Sequence, residues 1–150
     1  MLRLSLLLQP PPGSLPGLPC RVVLSVQRGG GLELWLSCPG GAELAQALLT
    51  LSDAGCAVVA VGLLSGRVVS PLALLSEPGL AEADPLLSGT VTVECVGSCA
   101  GKLRELLPVC AEARWSSSEP GRLHLRVKGV HVSELFERQL RVVEPFRAPP

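Results

Sequence analysis

Arg122-Leu-His-Leu-Arg-Val-Lys128 alternates polar and apolar residues without a break. A period of two marks a strand with one buried face. Leu123, Leu125 and Val127 therefore turn to a core, and Arg122, His124, Arg126 and Lys128 share the opposite side. Upstream, Glu112-Ala-Arg-Trp115 is its hairpin partner around Ser116 to Gly121, and Thr90 to Val96 alternates as a third strand with Val91, Val93 and Cys95 inward. Ala100 to Cys110, between them, reads as a helix presenting Leu103, Leu106 and Leu107, which Pro108 ends or distorts. Downstream come a short helical segment, Val132 to Glu137, and a last strand, Leu140 to Val143.

The first half follows a related plan. Leu2, Leu4, Leu6 and Leu8 alternate as a short strand, and Pro10 to Pro19 reads as a linker. Cys20 to Val26 and Leu32 to Leu36 form a hairpin across Gly29-Gly30-Gly31, where glycine accepts positive φ freely. Pro39-Gly40-Gly41 opens a helix from Ala42 to Asp53 with an apolar face of Leu44, Ala47, Leu48 and Leu51, stopped by Gly55. Ala57 to Val61, Gly66 to Val69 and a helical turn at Leu72 to Leu75 complete it.

Two pairs of segments share one offset. Ser37-Cys38 matches Ser98-Cys99, and Val69 to Glu77 matches Val130 to Arg138, both 61 residues apart. Internal periodicity alters a fold reading, so it is weighed early. The second half spells strand-helix-strand-strand-helix-strand, the order of a ferredoxin-like unit. In the first half the strand from Cys20 is free to take the closing place. The expected fold is α/β (α+β two-layer), with tandem ferredoxin-like βαββ units around one mainly antiparallel sheet system and helices on one face. The expected parts are residues 1–19 as strand and linker, 20–80 as a first unit and 90–146 as a second. In topology this resembles tandem ACT-like regulatory domains, which implies a small-ligand-sensing function.

Composition excludes several classes. At 150 residues and 47% hydrophobic, the chain can bury a core and is not disordered. Thirteen basic and thirteen acidic residues cancel, so no overall field steers it to nucleic acid or membrane. The cancellation hides two unequal parts. Residues 1–89 carry four Arg and six acids (4 − 6 = −2), whereas residues 90–150 carry nine cations and seven acids (9 − 7 = +2). The N-terminal apolar run, Leu6-Leu7-Leu8, is too short for a signal peptide and is followed by three prolines. No stretch reaches the roughly 20 apolar residues of a membrane span. Cys20, Cys38, Cys56, Cys95, Cys99 and Cys110 could form three disulfides. Without a leader or any Asn for a glycosylation sequon, reduced buried thiols and an intracellular, cytoplasmic or nuclear setting are expected. Cys95-x3-Cys99 lacks a second pair at finger spacing, so no metal or cofactor is expected.

Candidate sites follow from the same patterns. The row Arg122, His124, Arg126, Lys128 suits phosphates or an acidic partner, or else serves as a charged guard against edge pairing. It lacks the stacking aromatics of RNA-binding sheets, so nucleic acid is not the expected ligand. Trp35 shares a face with Glu33 and Ser37. It stands either on an open sheet face as an interface anchor or on a sheet covered on both sides. Gly40, Gly41, Ser98, Gly101 and Lys102 sit where helix starts suit anions. Gly97 to Lys102 departs from a phosphate loop, with Val96 where glycine is required and Leu103 where Ser or Thr is required. Cys99 before that helix is the one candidate nucleophile. His124 and His131 are the only imidazoles, and no triad follows from spacing. The expected function is a non-catalytic protein-interaction module, an adaptor or regulatory subunit of a larger complex, with partner binding or self-association. A small-ligand sensor is the alternative.

Overall fold

Two antiparallel sheets organise the chain, one in each of two units, Met1–Ala83 and Asp84–Pro150. The computed structural model describes residues 1–97 and 101–144. Its class is α+β with few helices. The expected single sheet system is corrected to two, because no strand of one unit is hydrogen-bonded into the sheet of the other among the described residues.

The first unit contains β1 (Leu2–Leu8), β2 (Arg21–Arg28), β3 (Gly31–Cys38), α1 (Gly41–Asp53), β4 (Val58–Leu63), β5 (Val68–Val69), α2 (Pro71–Ser76) and a 3-10 turn at Pro78–Glu82. Its strand order is β2-β3-β1-β4-β5. β2 lies beside β3 as the hairpin reading requires. β1 lies in the middle, paired to β3 on one side and β4 on the other. The leucine alternation explains that place: Leu2, Leu4, Leu6 and Leu8 are all buried and Arg3, Ser5 and Leu7 are half-buried. On the core face they meet Leu34, Leu36, the α1 stripe Leu44, Ala47, Leu48 and Leu51, Leu74 of α2 and Ala81 of the 3-10 turn. Every helical element of this unit thus adds to one core on one side of the sheet. Leu15 and Leu18 of the proline-rich segment pack against it as well.

The β2–β3 hairpin turns on Gly29 and Gly30, at φ +53° and +82°. Positive φ at both central residues is the requirement of the turn type that matches strand twist. A bulge between Val22 and Leu24 then shifts the register, so Leu24 faces Trp35 but Arg21 faces Ser37. Extending the shifted register by one residue sets Cys20 against Cys38. The two are disulfide-bonded, with Cα atoms 4.4 Å apart. This corrects the expectation of six reduced thiols.

The second unit contains β6 (Leu86–Cys95), α3 (Lys102–Leu106), β7 (Glu112–Trp115), β8 (Arg122–His131), α4 (Val132–Glu137) and β9 (Leu140–Glu144). Its sheet order is β7-β8-β6-β9, antiparallel throughout. Val91, Val93 and Cys95 of β6 and Leu123, Leu125 and Val127 of β8 are buried as expected, with Leu106 of α3 and Leu135 and Phe136 of α4. α3 is shorter than its apolar pattern suggests, and Leu107, expected on its buried face, is 55% exposed. Pro108 follows one residue later and cannot continue a helix. The short helices α2 and α4 start 61 residues apart, at Pro71 and Val132, and so keep the sequence offset.

Candidate functional site

One face of the second sheet is apolar and buried, and the other is polar and open. Cross-strand pairing puts residues directly opposite one another on the same face. On β8 the polar side carries Arg122, His124, Arg126 and Lys128. His124 faces Thr92 of β6 and Arg114 of β7, Arg126 faces Thr90 and Glu112, and Arg122 faces Glu94. Glu94 in turn faces Arg141 of β9. The structure therefore brings the four predicted residues of β8 together and adds Arg114 and Arg141, which the sequence reading missed. Their signal was weak because each sits alone on a short strand.

The charges on this face are partly tied. Arg122 pairs with Glu119 at 2.8 Å, Arg141 with Glu94 at 2.9 Å, and Arg126 with Glu112 at 3.8 Å. Such partly exposed pairs contribute about 0–1 kcal/mol each, so they orient side chains more than they hold the fold. Thr92 Oγ1 and His124 Nδ1 lie 3.2 Å apart, a hydrogen bond whose donor depends on the imidazole tautomer. Among the described side chains the face bears the cations Arg114, Arg122, Arg126, Lys128 and Arg141 interspersed with the carboxylates of Glu94, Glu112 and Glu119, and the backbone of Glu144 pairs with Thr92 at its β9 edge.

Trp35 and Glu33 stand elsewhere. All eight residues of β3 are buried, and Trp35 is 2% exposed. Its indole N–H donates to Glu33 Oε1 at 2.8 Å, and Glu33 also pairs with Arg28. The open-face alternative for Trp35 is thereby corrected: the sheet is covered on both sides at β3, and the indole hydrogen bond is made internally.

Three of the residues proposed for anion binding, Gly40, Gly41 and Lys102, are crowded or engaged by the protein itself. A Cβ on Gly41 would meet Pro78 at 3.2 Å, and one on Gly40 would meet the Glu43 carboxylate at 3.3 Å. The start of α1 already carries a side-chain acid, the charge its dipole favours. Lys102 is 7% exposed, and its ammonium donates to the Arg138 carbonyl at 2.6 Å, with Glu105 at 3.6 Å. That cation satisfies a carbonyl at the end of α4. Gly101 has the left-handed conformation, at φ +81°. Ser98 and Cys99 lie outside the described residues.

Asp84, His131 and Ser133 meet in space although their spacing did not suggest it. Asp84 accepts from the Ser133 N–H at 2.9 Å and from its hydroxyl at 2.6 Å, with His131 Nδ1 at 3.9 Å from the same carboxylate. In a hydrolytic triad the hydroxyl donates to the imidazole and the acid orients the imidazole. Here the acid takes the hydroxyl directly, so the cluster caps the start of α4. Among the described residues no group of three or more His, Cys, Asp or Glu is placed to hold a metal.

Cys56 and Cys110 are buried free thiols. Burial raises the Cys110 thiol above its ordinary value of 9.0, opposed weakly by a hydrogen bond from the Glu112 backbone, and the thiol donates to the Leu106 carbonyl at 3.0 Å. A raised thiol is a poor nucleophile at neutral pH. Iodoacetamide is therefore expected to modify Cys110 more slowly than free cysteine in the native protein, as read by peptide mass spectrometry. The fold holds the protonated form, so this group's contribution to stability is whole below about pH 9 and declines as pH rises past it. A Cys110 that alkylates as fast as free cysteine contradicts this burial.

No protein-family model, curated protein or solved structure matches the chain. Among the described residues, no helix is long and apolar enough to cross a membrane.

Proposed function

We propose that the chain is a non-catalytic protein-interaction module, a small adaptor or regulatory subunit, that binds its partner through the polar face of the second sheet. The observation that carries this is the division of that sheet: one side packs leucine and valine, and the other presents a broad set of charged side chains to solvent. The pairing of these charges is incomplete, which leaves cations on the face that a partner of opposite charge can engage. The second unit's element order and its sheet order β7-β8-β6-β9 favour reading it as ferredoxin-like. The first unit, with β1 between β3 and β4, departs from a plain repeat of that plan. Fold alone assigns no activity, so the argument rests on the face.

A photo-crosslinking amino acid at Thr90, exposed on this face and uncharged, tests the reading. In extract it is expected to give a discrete protein adduct that the same label at Thr50 of α1 does not give. Reversing Arg122 and Arg126 to Glu is expected to remove the adduct. Identical labelling from Thr50, or no discrete adduct from Thr90, would overturn the proposal.

A further inference from the structure

We infer that the partner presents an acidic extended polypeptide, and that Arg114 and Lys128 are the cations that receive its carboxylates. The inference rests on the reading of the second sheet's polar face as an interaction surface.

The cations of that face fall into two groups. Arg122, Arg126 and Arg141 each have a carboxylate of their own unit within ion-pair distance. Arg114 and Lys128 are exposed, and among the described residues neither has an ion-pair partner. Arg114 stands directly across from His124, and Lys128 lies four residues further along β8. At the rise of a strand that separation is roughly 13 Å. Acidic side chains four residues apart on an extended chain span the same distance, so one segment laid along β8 can meet both cations at once. Its amide groups have the exposed Thr90 and Ser88 beneath them, on the same face of β6.

The pattern of signs separates a polypeptide from a nucleic acid. Glu94 and Glu112 stand among the cations, and a phosphate backbone, negative at every residue, would be held against them. A polypeptide places its carboxylates selectively. Among the described residues the face also carries no Phe, Tyr or Trp, because Trp115 pairs with Leu123 and so lies on the other side of the sheet. The described part of the face therefore offers no stacking platform of the kind that holds single strands.

Glu112 has a definite part in this arrangement. Its contact with Arg126 is long, at 3.8 Å, and both side chains are more than half exposed. It competes with an incoming carboxylate for Arg126. Removing its charge adds a third free cation to the pair.

The test is fluorescence anisotropy with fluorescein-labelled decaglutamate and, in parallel, a labelled ten-nucleotide RNA, at low and at high salt. Wild-type protein is expected to bind decaglutamate at low salt and to release it as salt rises, since exposed charges are screened. Arg114→Glu with Lys128→Glu should weaken binding about tenfold or more, a loss of about 1.4 kcal/mol or more. Glu112→Gln should tighten it by a few-fold, and Arg67→Glu, an exposed cation of the first unit, should leave it unchanged. Far-ultraviolet circular dichroism confirms that each variant is folded.

Equal losses from Arg67→Glu and from the Arg114/Lys128 pair would overturn the inference, as would tighter binding of RNA than of decaglutamate. Failure to bind decaglutamate while the Thr90 adduct persists would sink the acidic-partner assignment and leave the interaction surface standing. Loss of the Thr90 adduct as well would remove both.

Discussion

Leu6→Ala is expected to destabilise the first unit by about 3 kcal/mol, within the 2–5 kcal/mol typical of emptying a packed leucine site. Leu6 is fully buried, with Leu34 of β3 opposite on one side and Val61 of β4 on the other. Both neighbours are strands of the same sheet, so neither side can close the gap without breaking register. Leu6→Met keeps the volume and should cost under about 1.5 kcal/mol. The two tryptophans make the measurement local, because Trp35 lies in the first unit and Trp115 in the second. In a Trp115→Phe background, urea unfolding followed by Trp35 emission should show the lower midpoint for Leu6→Ala. A midpoint equal to that of the parent would mean that β1 does not occupy the centre of the sheet.

The second large effect belongs to the Cys20–Cys38 bond. It closes a loop of sequence separation 18, for which the chain-entropy account gives about 3 kcal/mol. Cys20→Ala with Cys38→Ala should lower the Trp35 midpoint by a corresponding amount. Dithiothreitol should lower it more in the parent than in the double variant, which keeps the disulfide of Cys95 in the second unit. Both sulfurs are buried, so reduction should be slow until the unit opens. Intact-mass measurement of alkylated protein without reductant should find this pair protected. The same measurement on chain recovered from cells bears on the compartment, since disulfides persist in oxidising surroundings and are rare in the cytosol. A recovered chain carrying the bond would count against the intracellular setting expected from the sequence.

The sequence was most legible where one physical rule acted alone. Leu123, Leu125 and Val127 alternate with cations, and no other arrangement buries the first set while wetting the second. The face of α1 was likewise visible, because Leu44, Ala47, Leu48 and Leu51 recur at helical spacing. Legibility failed where the outcome depended on a neighbour. Nothing in Leu2 to Leu8 says whether the strand ends at an edge or between two others, and that difference decides how both of its faces are treated. The bulge at Val22 to Leu24 was invisible, and without it the hairpin would set Cys20 against Pro39. The pairing of those cysteines is a consequence of one extra residue. Trp35 could not be assigned to water or interior, because a period of two separates faces but does not say what covers them. Of the site, the row on β8 could be read, whereas Arg114, Arg141 and their acidic neighbours needed the strand register. Lys102 looked like a ligand for anions, and only the position of the Arg138 carbonyl shows what it holds.

The central place of β1 bears on how this chain is made. Its two partners, β3 and β4, are synthesised after it, and β4 ends only at Leu63. Until that residue clears the ribosome, four leucines of the sheet's middle strand have only part of their lattice to enter. Pairings this distant form slowly and leave apolar surface open meanwhile. The nascent first unit is thus the stretch for which a chaperone has most reason to wait.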